Sequence, residues 1–164
     1  MSRFAMRHPA SNSFELAVRC IIVGMTRPCF LVADREHASS ISTRKLVIET
    51  AKLNVITTYS AAETVETLKK FPGIDAIILD ANLEDAPIDD LIGRLKSIQP
   101  KAPVILIRSS PYSETSRLAE HQLDSFEPVA LLKLLRDLQP EKTQAIEKNN
   151  QLLADSELGI SSTG

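Results

Sequence analysis

Short, continuously apolar runs alternate along this chain with longer segments whose apolar residues recur at helical spacing. Cys29-Phe30-Leu31-Val32-Ala33 is apolar throughout and ends in Asp34. A run apolar on both faces suits a strand inside a parallel sheet. Ser39 to Leu53 has a helical pattern, with Ile41, Ile48 and Ala51 among the inward positions. Val55 to Tyr59 is β-branched and aromatic, hence a second strand. Ser60-Ala61-Ala62-Glu63 is a capping-box signature, in which each of the two polar side chains satisfies a backbone donor of the other's residue. Val65 and Leu68 supply the buried stripe of the helix that follows, and Pro72-Gly73 stops it.

Ile74 to Leu79 reads as another buried strand and ends in Asp80. Ile88, Leu91, Ile92, Leu95 and Ile98 share one helix face before Pro100. Val104 to Ile107 is a fourth strand, Thr115 to Glu120 a short helix, and the segment around Gln122 and Leu123 a weakly written fifth strand. Pro128 sits in the first turn of a last helix carrying Val129, Leu131, Leu132, Leu135 and Leu138. Pro140 ends its periodic part; Glu141 to Asp155 is polar and extends as a loose helix, and Ser156 to Gly164 frays. Strand–helix alternation with short connections predicts an α/β fold, a parallel sheet wound on both faces by right-handed crossovers.

Composition narrows this to one domain with a tail at each end. The 164 residues are 43% hydrophobic, enough for a core, and 24% charged. The predicted domain spans 28–139, between an N-terminal extension, 1–27, and a polar C-terminal tail, 140–164. Lys and Arg number 19 against 21 acidic residues and form no stripe, so no direct nucleic-acid contact is predicted. The two cysteines, Cys20 and Cys29, belong to no C-x-x-C or Cys/His cluster; Cys29 reads as a small buried hydrophobe, and a cytoplasmic address follows. Residues 1–24 lack the unbroken apolar stretch of a signal peptide or a spanning helix. Met25-Thr26-Arg27-Pro28 leads directly into the first strand, so Met25 is the expected natural start.

In a doubly wound sheet ligands collect beyond the carboxyl ends of the strands, where strand order reverses. Asp34 closes the first strand and Asp80 the third, neighbours in the order 2-1-3-4-5. One Asp alone reads as a helix N-cap. Two carboxylates held together at adjacent strand ends repel, and favour a divalent cation such as Mg²⁺.

Phe30 to Glu36, an apolar strand followed by Asp34, resembles the opening of response-regulator receiver domains. Asp75 to Asp80 resembles the family's third strand ending in its phosphoacceptor, and the 46 positions from Asp34 to Asp80 are close to the family's interval. Phe126-Glu127-Pro128 with Leu131-Leu132 is similar to the start of its last helix. The resemblance covers about residues 28–139. It implies a flavodoxin-like five-stranded sheet and a stand-alone domain in a two-component phosphorelay. Asp80 would take a phosphoryl group from a partner histidine kinase, with Mg²⁺ on Asp34, Asp80 and the backbone carbonyl of Asn82. Such transfer rests on positioning and charge neutralisation.

The match departs from the family pattern around that site. Arg35 replaces the second acid and opposes Mg²⁺. Arg108 stands at the family's Thr or Ser, followed by Ser109, a candidate phosphate contact, and Ser110. Asp124-Ser125 replaces the Lys-Pro pair, and Glu84 and Ile88 replace the Pro and Gly after the phosphoacceptor. The stretch from Arg108 to Asp124 is short, implying a reduced fourth helix. One or both of Arg35 and Arg108 are therefore predicted to pair with Asp34 and Asp80, a guanidinium replacing the metal; the alternative is that both point into solvent.

Two functions follow. One is a phosphorylated receiver. The other is a degenerate receiver that binds a signalling protein, or a second copy, through the face of the family's fourth helix, fifth strand and last helix. With no output domain after the last helix, either would act through another protein. An enzyme is not predicted: D-x-D, a Gly-rich phosphate loop and G-x-S-x-G are missing, and His8, His37 and His121 are isolated.

Overall fold

The computed structural model describes residues 27–35, 41–142, 148 and 151–156. The expectations for residues 1–24 and for a helix start at Ser39 lie outside these residues. Among the described residues the elements of the domain follow in the order β1 (Cys29–Ala33), α1 (Thr43–Thr50), β2 (Asn54–Thr58), α2 (Ala61–Lys70), β3 (Ala76–Asp80), α3 (Ile88–Ile98), β4 (Val104–Ile107), β5 (His121–Leu123) and α4 (Pro128–Leu138). All strand pairs are parallel, in the order β2-β1-β3-β4-β5. This is the predicted doubly wound sheet.

The period of two along each strand divides the core between its faces. Leu31, Ile77, Leu79, Val104 and Leu106 pack on one side with Val65 and Leu68 of α2 and with Ile88, Leu91, Ile92 and Leu95 of α3. Phe30, Val32, Ile78, Ile105 and Ile107 pack on the other with Ile48 of α1 and with Leu131 and Leu135 of α4. Central strands are buried on both faces, which is why they read as unbroken apolar runs.

Several details differ from expectation. Ile41 is 69% exposed, because α1 begins only after its N-cap Ser42. Val129 is 80% exposed on α4, whose buried positions are Leu131 and Leu135. Cys29 is buried as expected but is also disulfide-bonded, with a partner outside the described residues. The largest change lies between β4 and β5. The fourth helix is absent rather than reduced: residues 108–120, including Thr115 to Glu120, form turns and bends.

That connection is fastened to α3 by polar contacts instead of packing through a helix. Glu114 accepts from the Ile88 N–H at 3.3 Å, and Ser116 Oγ donates to Asp89. Glu120 accepts from the Val104 N–H at 2.7 Å and from Lys96. Since that helix is missing, the interaction face predicted from it does not exist as described. The C-terminal segment is tied back as well, through Lys142 Nζ to Asp75 Oδ1 at 2.8 Å. The other oxygen of Asp75 accepts from the Cys29 N–H at the start of β1.

Candidate functional site

Register puts the two candidate carboxylates side by side. β1 and β3 pair Ala33 with Leu79, so the next residue of each strand is Asp34 and Asp80. Both are 3% exposed. Backbone hydrogen bonds continue the sheet past them, from Asp34 N to Thr58 O and from Ala81 N to Ile107 O, each 2.9 Å. The strand ends are thus rigid, and the carboxylates are presented at a fixed place.

A guanidinium lies between them, and it belongs to Arg44. Arg44 Nη1 donates to Asp34 Oδ1 at 2.7 Å, and Nη2 to Asp80 Oδ2 at 2.9 Å. The remaining oxygens are also engaged. Asp34 Oδ2 accepts from Ser42 Oγ at 2.6 Å, and Asp80 Oδ1 from the Asn82 N–H at 2.7 Å. Arg44 sits four residues before Ile48 on α1, so both point to the core-facing side of that helix, and both are buried. The guanidinium carbon stands 5.6 Å from the centre of the Phe126 ring, within cation–π range. Ser42 does two things at once: it caps α1 by accepting from the Lys45 N–H, and it donates to Asp34.

A guanidinium in place of the metal was the expected device, but the two arginines expected to supply it do not. Arg35 is exposed at the mouth of the site, and only its backbone N–H reaches Asp34. Arg108 pairs with Asp124 through Nη1 at 2.9 Å and donates from Nη2 to the Pro111 carbonyl. Asp124 thus gives Arg108 a partner away from Asp80. The overlooked residue was Arg44, and its signal was a charged side chain in register with Ile48 on a core-facing helix stripe.

Beside the buried triad an open cleft of about 540 Å³ is lined by Arg35, Asn82, Glu84, Ser109, Ser110 and Glu114, among others. Asn82 and Ser109 both line it, and Asp80 does not. Next to the lining residue Glu84, Asp85 ties its loop to α2: its carboxylate accepts from the backbone N–H groups of Ala61 and Ala62 at the start of that helix, at 2.9 and 3.2 Å. Burial alone would raise the Asp85 pKa, but these amide donors outweigh it and hold the carboxyl below its usual range.

The expected Mg²⁺ does not fit these donors. It needs octahedral oxygen ligation at about 2.1 Å with several waters kept, whereas the oxygens of both carboxylates face N–H and O–H donors. No cluster of three or more His, Cys, Asp or Glu side chains suited to a metal occurs among the described residues.

No protein-family model and no curated protein matches the sequence. Solved structures do match. Chemotaxis protein CheY4 of Vibrio cholerae superposes with a TM-score of 0.56 at 23% identity, over 68% of this chain and 98% of that one. A CheY-like receiver domain protein from Methanospirillum hungatei gives 0.62 at 16%, over 72% and 98%. The receiver domain of NtrC4 from Aquifex aeolicus gives 0.54 at 22%, over 74% and 98%. The fold is that of a response-regulator receiver domain. Within the receiver fold Asp80 occupies the carboxyl end of the third strand, the position the sequence resemblance assigned to it, and α3 is followed by β4 and a helix-free connection.

Proposed function

We propose that this chain is a receiver-like signalling module that acts by binding a partner protein, without phosphorylation of Asp80. One observation carries this reading: both oxygens of Asp80 are occupied within a buried site, one by the Asn82 N–H and one by Arg44. Attack on a phosphoryl group needs a free carboxylate oxygen in line with the leaving group, and charge neutralisation around the three equatorial oxygens. Here the cation that would neutralise charge is spent on the carboxylates themselves, and Arg108 is held by Asp124. A partner such as a histidine kinase or another signalling protein goes with this reading; among the described residues no helix is long and apolar enough to cross a membrane.

The second reading is a phosphorelay receiver accepting a phosphoryl group on Asp80 from a partner histidine kinase. It is favoured by the pairing of Asp80 with Asp34 at the strand ends and by Ser109 and Asn82 in the adjoining cleft. The two are separated by incubating the protein with a small acyl phosphate and Mg²⁺ and measuring intact mass. The first reading expects no adduct on the wild type. A phosphoryl adduct on the wild type that is lost in Asp80→Asn overturns it.

A further inference from the structure

We propose that Arg44 is the resident cation of the Asp34–Asp80 pair, supplied by the chain in place of a divalent ion, and that it fastens the start of α1 permanently to the carboxyl edge of the sheet. This deepens the reading above and rests on the same engaged Asp80, but it concerns cation binding and can fail separately.

Two adjacent buried carboxylates cannot both stay ionised without a cation between them. In this chain the cation is covalently attached. Arg44 offers one Nη to each carboxylate, 2.7 Å to Asp34 and 2.9 Å to Asp80, so its planar fork spans the gap between β1 and β3. The arginine is fixed from three further directions. Its α1 backbone is capped by Ser42, which itself donates to Asp34; its flat face meets Phe126; and its side chain is 9% exposed.

A divalent ion entering the pair would have to expel this side chain, leaving a cation with a buried stem and a Nε that has no partner among the described residues. It would also have to break the Ser42 and Asn82 hydrogen bonds that saturate the outer oxygens. The site is therefore closed to metal, and its geometry does not depend on metal supply. The connection between sheet and α1 is held in one state.

The test uses the full chain and the metal alone. Mg²⁺ is titrated into the wild type while the amide resonances of residues 34, 80 and 82 are followed by NMR, and Mn²⁺ is added to detect paramagnetic broadening of the same signals. The expected result is no saturable shift and no selective broadening. The Arg44 side-chain N–H signals are expected to be resolved, slow to exchange and unchanged by Mg²⁺. Saturable Mg²⁺ binding at residues 34 and 80, or a rapidly exchanging, motionally averaged Arg44 guanidinium, overturns the proposal.

Arg44→Gln gives the converse. With the charge gone, Mg²⁺ or Mn²⁺ is expected to bind at residues 34 and 80 and to raise Tm, or to be required for folding. A folded Arg44→Gln that ignores both ions overturns the proposal. The wild-type measurements decide the matter if that variant does not fold. An acyl-phosphate adduct on a wild type that binds no Mg²⁺ overturns the functional reading while leaving this proposal standing; Mg²⁺ binding without an adduct does the reverse.

Discussion

Arg44 lies across the ring of Phe126, 5.6 Å from guanidinium carbon to ring centre. The contact joins α1 to the turn before α4, so the aromatic residue closes the side of the triad that the carboxylates leave open. Phe126 is half-buried and packs against the core layer beneath α1 and α4. Phe126→Ala is expected to cost about 2 kcal/mol, combining a partial large-to-small loss with a cation–π contact of roughly 0.5–2 kcal/mol. Phe126→Tyr should lie within about 0.5 kcal/mol of the wild type, since it keeps the ring face. Urea unfolding of the two variants checks both; equal losses would show that the ring face does not matter.

Two carboxylates outside the triad, Asp85 and Glu120, are held below the usual carboxylate range. Asp85 is held low in pKa by the Ala61 and Ala62 amides despite the opposing effect of burial. For Glu120 burial likewise acts upward, and Lys96 together with the Val104 amide overcomes it. A carboxylate depressed in the folded state binds fewer protons there than when unfolded, so its stabilisation is complete above the ordinary carboxylate pKa. It is lost as pH falls through the folded value. The stability advantage of the wild type over Asp85→Ala and over Glu120→Gln should therefore be constant from pH 7 to about 5 and shrink below about 4. Urea midpoints measured across that range test the sign; a gap that widens on acidification would contradict it.

Lys52 follows the end of α1 with φ 63°, among the described residues the one positive-φ residue that is not glycine. This is the left-handed cap position where a Cβ is unfavourable and glycine is preferred. Its N–H still bonds to the Glu49 carbonyl at 2.9 Å, so the turn itself does not depend on the lysine side chain. Lys52→Gly is expected to raise stability by about 0.5 kcal/mol, the relief of strain exceeding the added freedom of the unfolded chain. Lys52→Val, β-branched in the same conformation, should lower it by about 1 kcal/mol.

Much of this fold was legible because its central strands are apolar on both faces and its helices are not. Val104 to Ile107 was readable to the residue from its unbroken apolar run, and the last helix from its proline start and its stripe of leucines, although Val129 lies off that stripe. Asp34 and Asp80 were readable as a pair because strand order makes their strands neighbours. Arg44 was not, because a pattern of apolar positions treats a charge as solvent-facing, and only the three-dimensional approach of α1 to the strand ends shows two carboxylates waiting for it. Arg35 and Arg108 were closer in sequence to the strand ends, yet proximity along the chain did not decide the pairing. The connection from 108 to 120 was misread for a related reason. Its ties to α3 run through Glu114, Ser116 and Glu120, polar contacts that carry no periodicity.

The triad predicts an unequal response to partial and complete removal. Arg44→Met alone leaves two buried carboxylates without a cation, and removing one member of a buried ionic cluster typically costs about 3–5 kcal/mol. Asp80→Asn alone costs less, because its single amide oxygen can still accept from the Asn82 N–H and Arg44 keeps Asp34. Arg44→Met combined with Asp34→Asn and Asp80→Asn removes every charge together, so the desolvation penalty disappears with the attraction. Most of the loss seen in the single arginine variant should then be recovered, to within about 1–2 kcal/mol of the wild type. Ser42 and the Asn82 N–H retain oxygen acceptors throughout, which keeps α1 capped and the strand ends in place. The check is a thermodynamic cycle in urea over the single, double and triple variants. Additive losses, with the triple variant least stable of all, would mean that Arg44, Asp34 and Asp80 contribute independently and not as one closed ionic unit.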